Sequence, residues 1–284
     1  MPKKRTNEKI VYWILRGISY FFVLIVAYIL FDIFIKGIGV ISWDFLTQAP
    51  KKGGTAGGIL PAIVGTLYLV LMTIIISLPL GMSSAVYLTE YATQGWLTRL
   101  IRLAISTLAG VPSIVFGLFG LSLFVIFFGF GASILAGSFT LALLVLPIII
   151  VASEEALRSV PPYMREASLA LGATKWQTIY KNVLPYSLGG MMTGSILGIG
   201  RAAGETAPIL LTAAAFFLPR LPDSIFDQVM ALPYHLYILA TQHPEVDKVR
   251  PLQYGTTLVL MALVIGLNLA AIILRMRIRK KYQW

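Results

Sequence analysis

The chain alternates long apolar runs with short polar ones, and the length of those runs sets the architecture. A helix needs roughly 20 apolar residues to cross the hydrocarbon core of a bilayer. Six such runs stand out, at about 14–40, 61–88, 104–129, 134–153, 188–217 and 256–275. An all-α integral membrane protein with six transmembrane helices is therefore expected. Between the fourth and fifth runs lies a polar passage, EASLALGATKWQTIYKNVLP (Glu166 to Pro185). Pro161 and Pro162 suit the first turn of a helix, where a missing N–H costs nothing, and Ser159 just upstream is a candidate cap. Gly172 is placed to end that helix in a left-handed conformation. Thr174 and Gln177 have capping-box spacing and open a second helix, which Pro185 is expected to end near Val183. The product is a helix–turn–helix over 159–185, outside the bilayer.

Two other segments have loop character, 47–58 and the Pro-rich 218–255, and Gly and Pro punctuate both. The second is long for a structureless connection, so a short helix is expected in it, at about 224–239. No tandem repeat is evident. The economical division is one transmembrane domain, 1–284, with an N-terminal tail, first span and outer loop over 1–60, a core over 61–275 and a basic tail over 276–284.

Composition agrees with the pattern, since 57% of residues are hydrophobic, 12% are charged and the mean hydropathy is +0.82. A soluble domain carries about 25% charged residues. Lys3, Lys4 and Arg5 before an apolar run have the look of a signal peptide, but the run is long and lacks a small-residue cleavage site, which favours a retained helix. The absence of cysteine excludes disulfides, thiolate metal sites and cysteine nucleophiles. A net charge of +11 would suit a nucleic-acid partner, yet its distribution fits a membrane. With the N-terminus inside, 16 of the 23 Lys and Arg fall on the cytoplasmic side, as the positive-inside bias requires. Lys36, Lys51, Lys52, Arg220, Lys248 and Arg250 fall outside. Both termini are thus expected in the cytoplasm, with the tail RMRIRKKYQW against anionic lipid headgroups.

The candidate chemistry is sparse. Arg201 and Glu205, in GRAAGETAP, are the ionisable residues deep in a span, where such groups usually pair or line a pathway. Their i, i+4 spacing puts them on one helical face, and Arg201 stands about 20 Å along a core of roughly 30 Å. Two readings stand open. The pair either neutralises itself and holds helices together, or Arg201 offers a planar fork to a tetrahedral oxyanion in transit, with Glu205 holding the fork when the path is empty and Thr206 beside it. Gly190, Gly194 and Gly198, with Gly200 and Gly204 beside them, read first as a close-packing stripe. Pro208 is expected to kink the same helix. VPSI (Val111 to Ile114) is either a packed kink or a break whose carbonyls and Ser113 line a path. The glycines of 53–58 read as a turn. His235 and His243 lack carboxylate or cysteine partners at ligand spacing, so no metal site is expected. Glu154 and Glu155 read as a solvated pair, and Asp32 with Lys36 as a surface pair. There is no GxxxxGK[ST] phosphate loop.

On topology alone, 159–185 reads first as an ordinary interfacial loop. The order Glu166, Ala167, Gly172, Leu184, Pro185, however, resembles the EAA motif of the permease subunits of binding-protein-dependent ABC importers, with Ser168 and Asn182 departing from the common pattern. GGTAGGILPAIVGTLYL (Gly53 to Leu69), AGVPSIVFGLFG (Ala109 to Gly120) and GRAAGETAP (Gly200 to Pro208) further resemble the permeases of the high-affinity phosphate importer, most closely its A-type subunit, from about residue 55 onward. The resemblance implies the MetI-like fold of type I importers and a place in a prokaryotic inner membrane. It implies that Glu166, Ala167, Gly172, Leu184 and Pro185 couple the chain to an ATPase, and that phosphate moves inward by alternating access. It also implies partners: a second permease forming a heterodimer, two ATPase subunits that bind the ATP and Mg, and an extracytoplasmic phosphate-binding protein. A permease for sulfate or molybdate would share the EAA region. A secondary transporter or channel would leave the helix–turn–helix unexplained, and a membrane enzyme finds no metal cluster or Ser/His/Asp set to work with.

Overall fold

The computed structural model describes residues 2–281. Met1 and Tyr282, Gln283 and Trp284 of the basic tail lie outside the described residues. The chain opens with α1 (Pro2–Ile38), a long helix that packs along the last one, then a short α2 (Trp43–Thr47) capped by the Ser42 side chain, which accepts from the Phe45 N–H at 3.1 Å. Strands β1 (Pro50–Lys51) and β2 (Ala56–Gly57) pair antiparallel around the glycine turn. The expected turn at 53–58 is this hairpin.

Next come α3 (Leu60–Val86), which ends in a wide π turn over Tyr87–Tyr91, and α4 (Trp96–Leu108) and α5 (Ser113–Gly120), the latter extended by a π segment over Leu121–Phe127. The axes across the Ala109–Pro112 break differ by 107°. The expected span at 104–129 is therefore not one helix. Gly110 lowers helix propensity and Pro112 bars the residue before it from α geometry, so the chain turns there. Helix α4 buries none of its side chains.

Helix α6 (Ile134–Arg158) is the centre of the molecule. Ser133 caps it by accepting from the Ala136 N–H, and Leu141, Leu144, Val145 and Leu157 are buried. Helix α3 and, further along the chain, α9 (Leu184–Gly204) both pack against it and touch each other. Core hydroxyls need partners in a membrane, and several find them locally. Thr66, Thr73, Thr140 and Ser195 each donate to the carbonyl four residues back. The expected glycine stripe is packing: Gly190 and Gly194 face Ala156 and Ala152, and Gly198 faces Ile149 and Val145.

Between α6 and α9 stand α7 (Pro162–Ala170) and α8 (Lys175–Thr178), which is followed by a π turn over Ile179–Val183. After α9 come α10 (Ala207–Thr212), α11 (Leu232–Thr241) and α12 (Val246–Lys281). The run at 188–217 is thus broken. Helix α9 stops at Gly204 and Glu205 is extended (φ −74°, ψ 135°). Pro208 does not kink a continuous helix. Its ring would clash with the Gly204 carbonyl four residues back, so the chain leaves the helix and Pro208 takes the first turn of α10, where it fits.

The helix expected at about 224–239 starts eight residues later, as α11. Asp227 Oδ2 accepts the N–H groups of Asp223 and Ser224, folding 223–227 into a turn. The following Val229, Met230, Ala231 and Leu232 are then threaded into the core. Ala215 N–H donates to the Val229 carbonyl (2.8 Å), and the Leu232 N–H to Thr66 Oγ1 (2.8 Å). Gly65 must be glycine for this, because a Cβ there would overlap the Met230 carbonyl. The expected outer loop is partly a buried strap.

Among the described residues, four helices are long and apolar enough to cross a membrane, and five if α4 and α5 form one broken span. They are Val11–Ile38, Leu60–Tyr91, Ile134–Arg158 and Val246–Ile278.

Candidate functional site

Two regions carry the sequence candidates. The first is the break between α9 and α10. Arg201 Nε donates to Glu205 Oε1 at 3.1 Å, across the end of the helix rather than along an unbroken face. The Glu205 side chain is 17% exposed and that of Arg201 34%. No other hydrogen bond reaches the guanidinium among the described residues, so its two terminal nitrogens stay open. Thr206 stands at the cap of α10, where its carbonyl accepts from the Leu210 N–H.

The VPSI break meets this one. Val111 and Phe116 cluster with Ala202, next to Arg201, and Gly117 lies so close to Ala207 that a Cβ would stand 3.0 Å from its carbonyl. Ser113 opens α5 and is half-buried, but among the described residues no hydrogen bond joins it to Arg201. Asn268 of α12 was missed in the sequence. Its carboxamide lies against Gly200, and its Oδ1 is buried without a partner. A lone Asn in an apolar span was the available signal.

The second region is the helix–turn–helix of α7 and α8. Gly172 has φ +82°, the left-handed conformation that L side chains resist. Thr174 Oγ1 accepts from the Gln177 N–H at 3.2 Å while Gln177 Oε1 accepts from the Thr174 N–H at 2.9 Å, completing the expected capping box. Two expectations fail. Ser159 does not cap α7, because its hydroxyl donates back to the Ala156 carbonyl, and Pro161 holds the cap position. Nor does Pro185 end the second helix. The π turn widens the backbone just before it, which accommodates the ring and the missing donor, and the helix runs on into α9. Glu166 and Ala167 are exposed, and Leu184 and Pro185 are half-buried. Tyr163, Leu171 and Trp176 stand out into solvent, Leu171 at 89%. Among the described residues no element covers these apolar side chains.

Glu154 is not a solvated residue. It is buried at the end of α6 and pairs with Arg158 (3.0 Å) and Arg102 (3.4 Å), while Glu155 is exposed. Arg165 pairs with Glu90 at 2.7 Å. Sequence reading missed this pair, since the partners lie far apart in the chain. His235 of α11 is buried and its pKa is pushed down to about 4 by that burial, so it is neutral near pH 7. Among the described residues no three His, Asp or Glu come together as a metal site.

Residues 77–283 match the family of binding-protein-dependent transport system inner membrane components. The chain belongs to this family. As an inner membrane component it has relatives among named permeases. The probable ABC transporter permease protein YqgI of Bacillus subtilis is 34% identical over 97% of this chain and 98% of its own. The phosphate transport system permease protein PstA 1 of Mycobacterium tuberculosis is 40% identical over 78% of this chain and 71% of its own. The fold recurs in a bacterial ABC transporter involved in the import of the acidic polysaccharide alginate, with TM-score 0.69 at 13% identity over 97% of this chain and 98% of that one. It recurs also in the MetNI methionine ABC transporter in an inward-facing conformation, with TM-score 0.56 at 18% identity over 78% and 94%. The MetI-like fold expected from the EAA motif is thus present.

In this permease the two departures from the common motif explain each other. Asn182 Nδ2 donates to Ser168 Oγ at 2.9 Å, and Ser168 Oγ shares a hydrogen bond with Thr178 Oγ1 at 3.0 Å. A polar contact between the two helices replaces the usual apolar one.

Proposed function

We propose that this permease is the A-type membrane subunit of an ATP-driven phosphate importer. The observation that carries the reading is the broken α9, which leaves Arg201 tied by one nitrogen to Glu205 with the rest of its fork open. Arg201 and Glu205, with Thr206 and the adjoining Ser113 turn, form the passage for the anion. Relatives named as phosphate permeases, at up to 41% identity, support phosphate as that anion. A planar fork suits a tetrahedral oxyanion, and a competing carboxylate keeps binding weak enough for release.

The spans number six, with α9 and α10 forming the fifth, and the Lys and Arg bias supports both termini in the cytoplasm. Glu166, Ala167, Gly172, Leu184 and Pro185 build the coupling element, and the exposed Tyr163, Leu171 and Trp176 beside them dock on an ATPase. Two such ATPases bind the ATP and Mg. A second permease completes the pathway as a heterodimer, and an extracytoplasmic phosphate-binding protein delivers the substrate. Alternating access follows when ATPase closure moves α7 and α8.

Phosphate uptake by the complete complex in liposomes tests the passage. Arg201→Gln is expected to abolish uptake with the ATPases still bound, and Arg201→Lys, which keeps charge without the fork, to leave a minor part. Undiminished uptake by Arg201→Gln would remove Arg201 from the path.

A further inference from the structure

The guanidinium of Arg165, one residue before the motif Glu166, has all three nitrogens engaged. Nε donates to both carboxylate oxygens of Glu90 at 3.2 and 3.4 Å, and Nη2 to Oε1 at 2.7 Å. Nη2 also donates to the Leu157 carbonyl and Nη1 to the Val160 carbonyl, each at 2.8 Å. Those carbonyls belong to the last turn of α6 and to the second residue beyond its end, where a helix leaves acceptors unpaired. Glu90 sits in the π turn that ends α3, and its side chain is 9% exposed. One side chain of α7 therefore fastens together the ends of α3 and α6.

A second contact grips the same turn. Lys175 Nζ, on α8, lies 4.9 Å from the ring centre of Tyr91, next to Glu90. Each helix of the helix–turn–helix thus holds one of two adjacent residues at the end of α3. Helix α9, by contrast, receives the helix–turn–helix covalently, through the π turn at Ile179–Val183. Both π turns border one groove of about 750 Å³, lined by Tyr87 and Tyr91 on one side and by Trp176, Tyr180 and Leu184 on the other. Wide turns are weak points in a helix, so a push on α8 can bend Ile179–Val183 without moving α3 unless something ties the two sides.

We propose that Arg165 is a positioning residue that makes α3 move as one body with the helix–turn–helix, through its fork on Glu90. The drive then enters the bundle by two routes, one covalent into α9 and one ionic into α3. The inference rests on the coupling role given to α7 and α8 above. Arg165 touches neither substrate nor nucleotide, and acts through Glu90 alone on α3.

The test uses the complete complex in liposomes, with native protein, Glu90→Gln, which keeps shape and loses charge, and Arg165→Lys, which keeps charge and loses the fork. ATPase copurification, ATP hydrolysis and phosphate carried per ATP are measured together. The expected result is an assembled complex that still hydrolyses ATP but carries about tenfold less phosphate per ATP in both variants, within the range for residues on a coupling route. An unchanged ratio in both, even with a lowered melting temperature, would make the pair a fold brace only and overturn the proposal. Loss of the ATPase from Glu90→Gln would overturn it too, by making the pair part of the docking surface. If the native complex retains no ATPase, the coupling reading itself falls.

Discussion

Single side chains in this permease show how polar groups are made tolerable in an apolar chain. Ser168 of α7, Thr178 at the end of α8 and Asn182 in the π turn before α9 satisfy one another. Removing one member of a buried polar set leaves the others unpaired at about 1–3 kcal/mol, whereas replacing both partners by apolar groups is nearly neutral. Ser168→Ala alone should therefore lower the melting temperature of the complex. Ser168→Ala with Thr178→Val and Asn182→Leu, which replaces all three polar partners by apolar groups, should recover it. His235 gives a pH dependence of defined sign. Burial holds it neutral in the fold, with a pKa of about 4, while the unfolded chain takes the proton near 6.5. Stability from this site is full above that unfolded value and is lost as pH falls toward about 4. The protection factors of the Leu232–Thr241 amides, which correct for the slowing of intrinsic exchange in acid, should fall between about pH 7 and about pH 4.5, and His235→Leu should flatten the change.

At the scale of elements, the breaks matter more than the helices. Pro208 forces α9 to stop at Gly204, which turns an i, i+4 pair into one that spans a helix end. Pro in a helix interior costs about 3 kcal/mol relative to Ala. Pro208→Ala should let α9 and α10 join, slowing exchange of the Glu205, Thr206, Ala207 and Ile209 amides and reducing phosphate uptake in an assembled complex. Unchanged exchange would mean that Gly204 and Glu205 break the helix unaided. The long apolar runs, the capping box at Thr174 and the left-handed Gly172 were legible because each depends on local spacing. What escaped was long-range. The strap at Val229–Leu232 is set by Gly65 and Thr66 of α3, and the Glu90–Arg165 clasp joins residues 75 positions apart. Pro185 misled for a related reason, since a π turn lets a helix pass through a proline that spacing alone reads as a stop.

The whole molecule is a bundle organised around α6, with the candidate passage at one broken helix and the helix–turn–helix fastened to the ends of α3 and α6. Its exposed apolar groups, Leu171 foremost, call for a partner, and its open arginine fork calls for an anion. Both demands meet in one experiment: ATP hydrolysis by the purified complex in lipid, stimulated by binding protein loaded with phosphate or with sulfate. Stimulation by the phosphate-loaded form alone is the predicted result. Equal stimulation by the sulfate-loaded form would contradict the substrate, and a preparation without ATPase would contradict the coupling role of the helix–turn–helix.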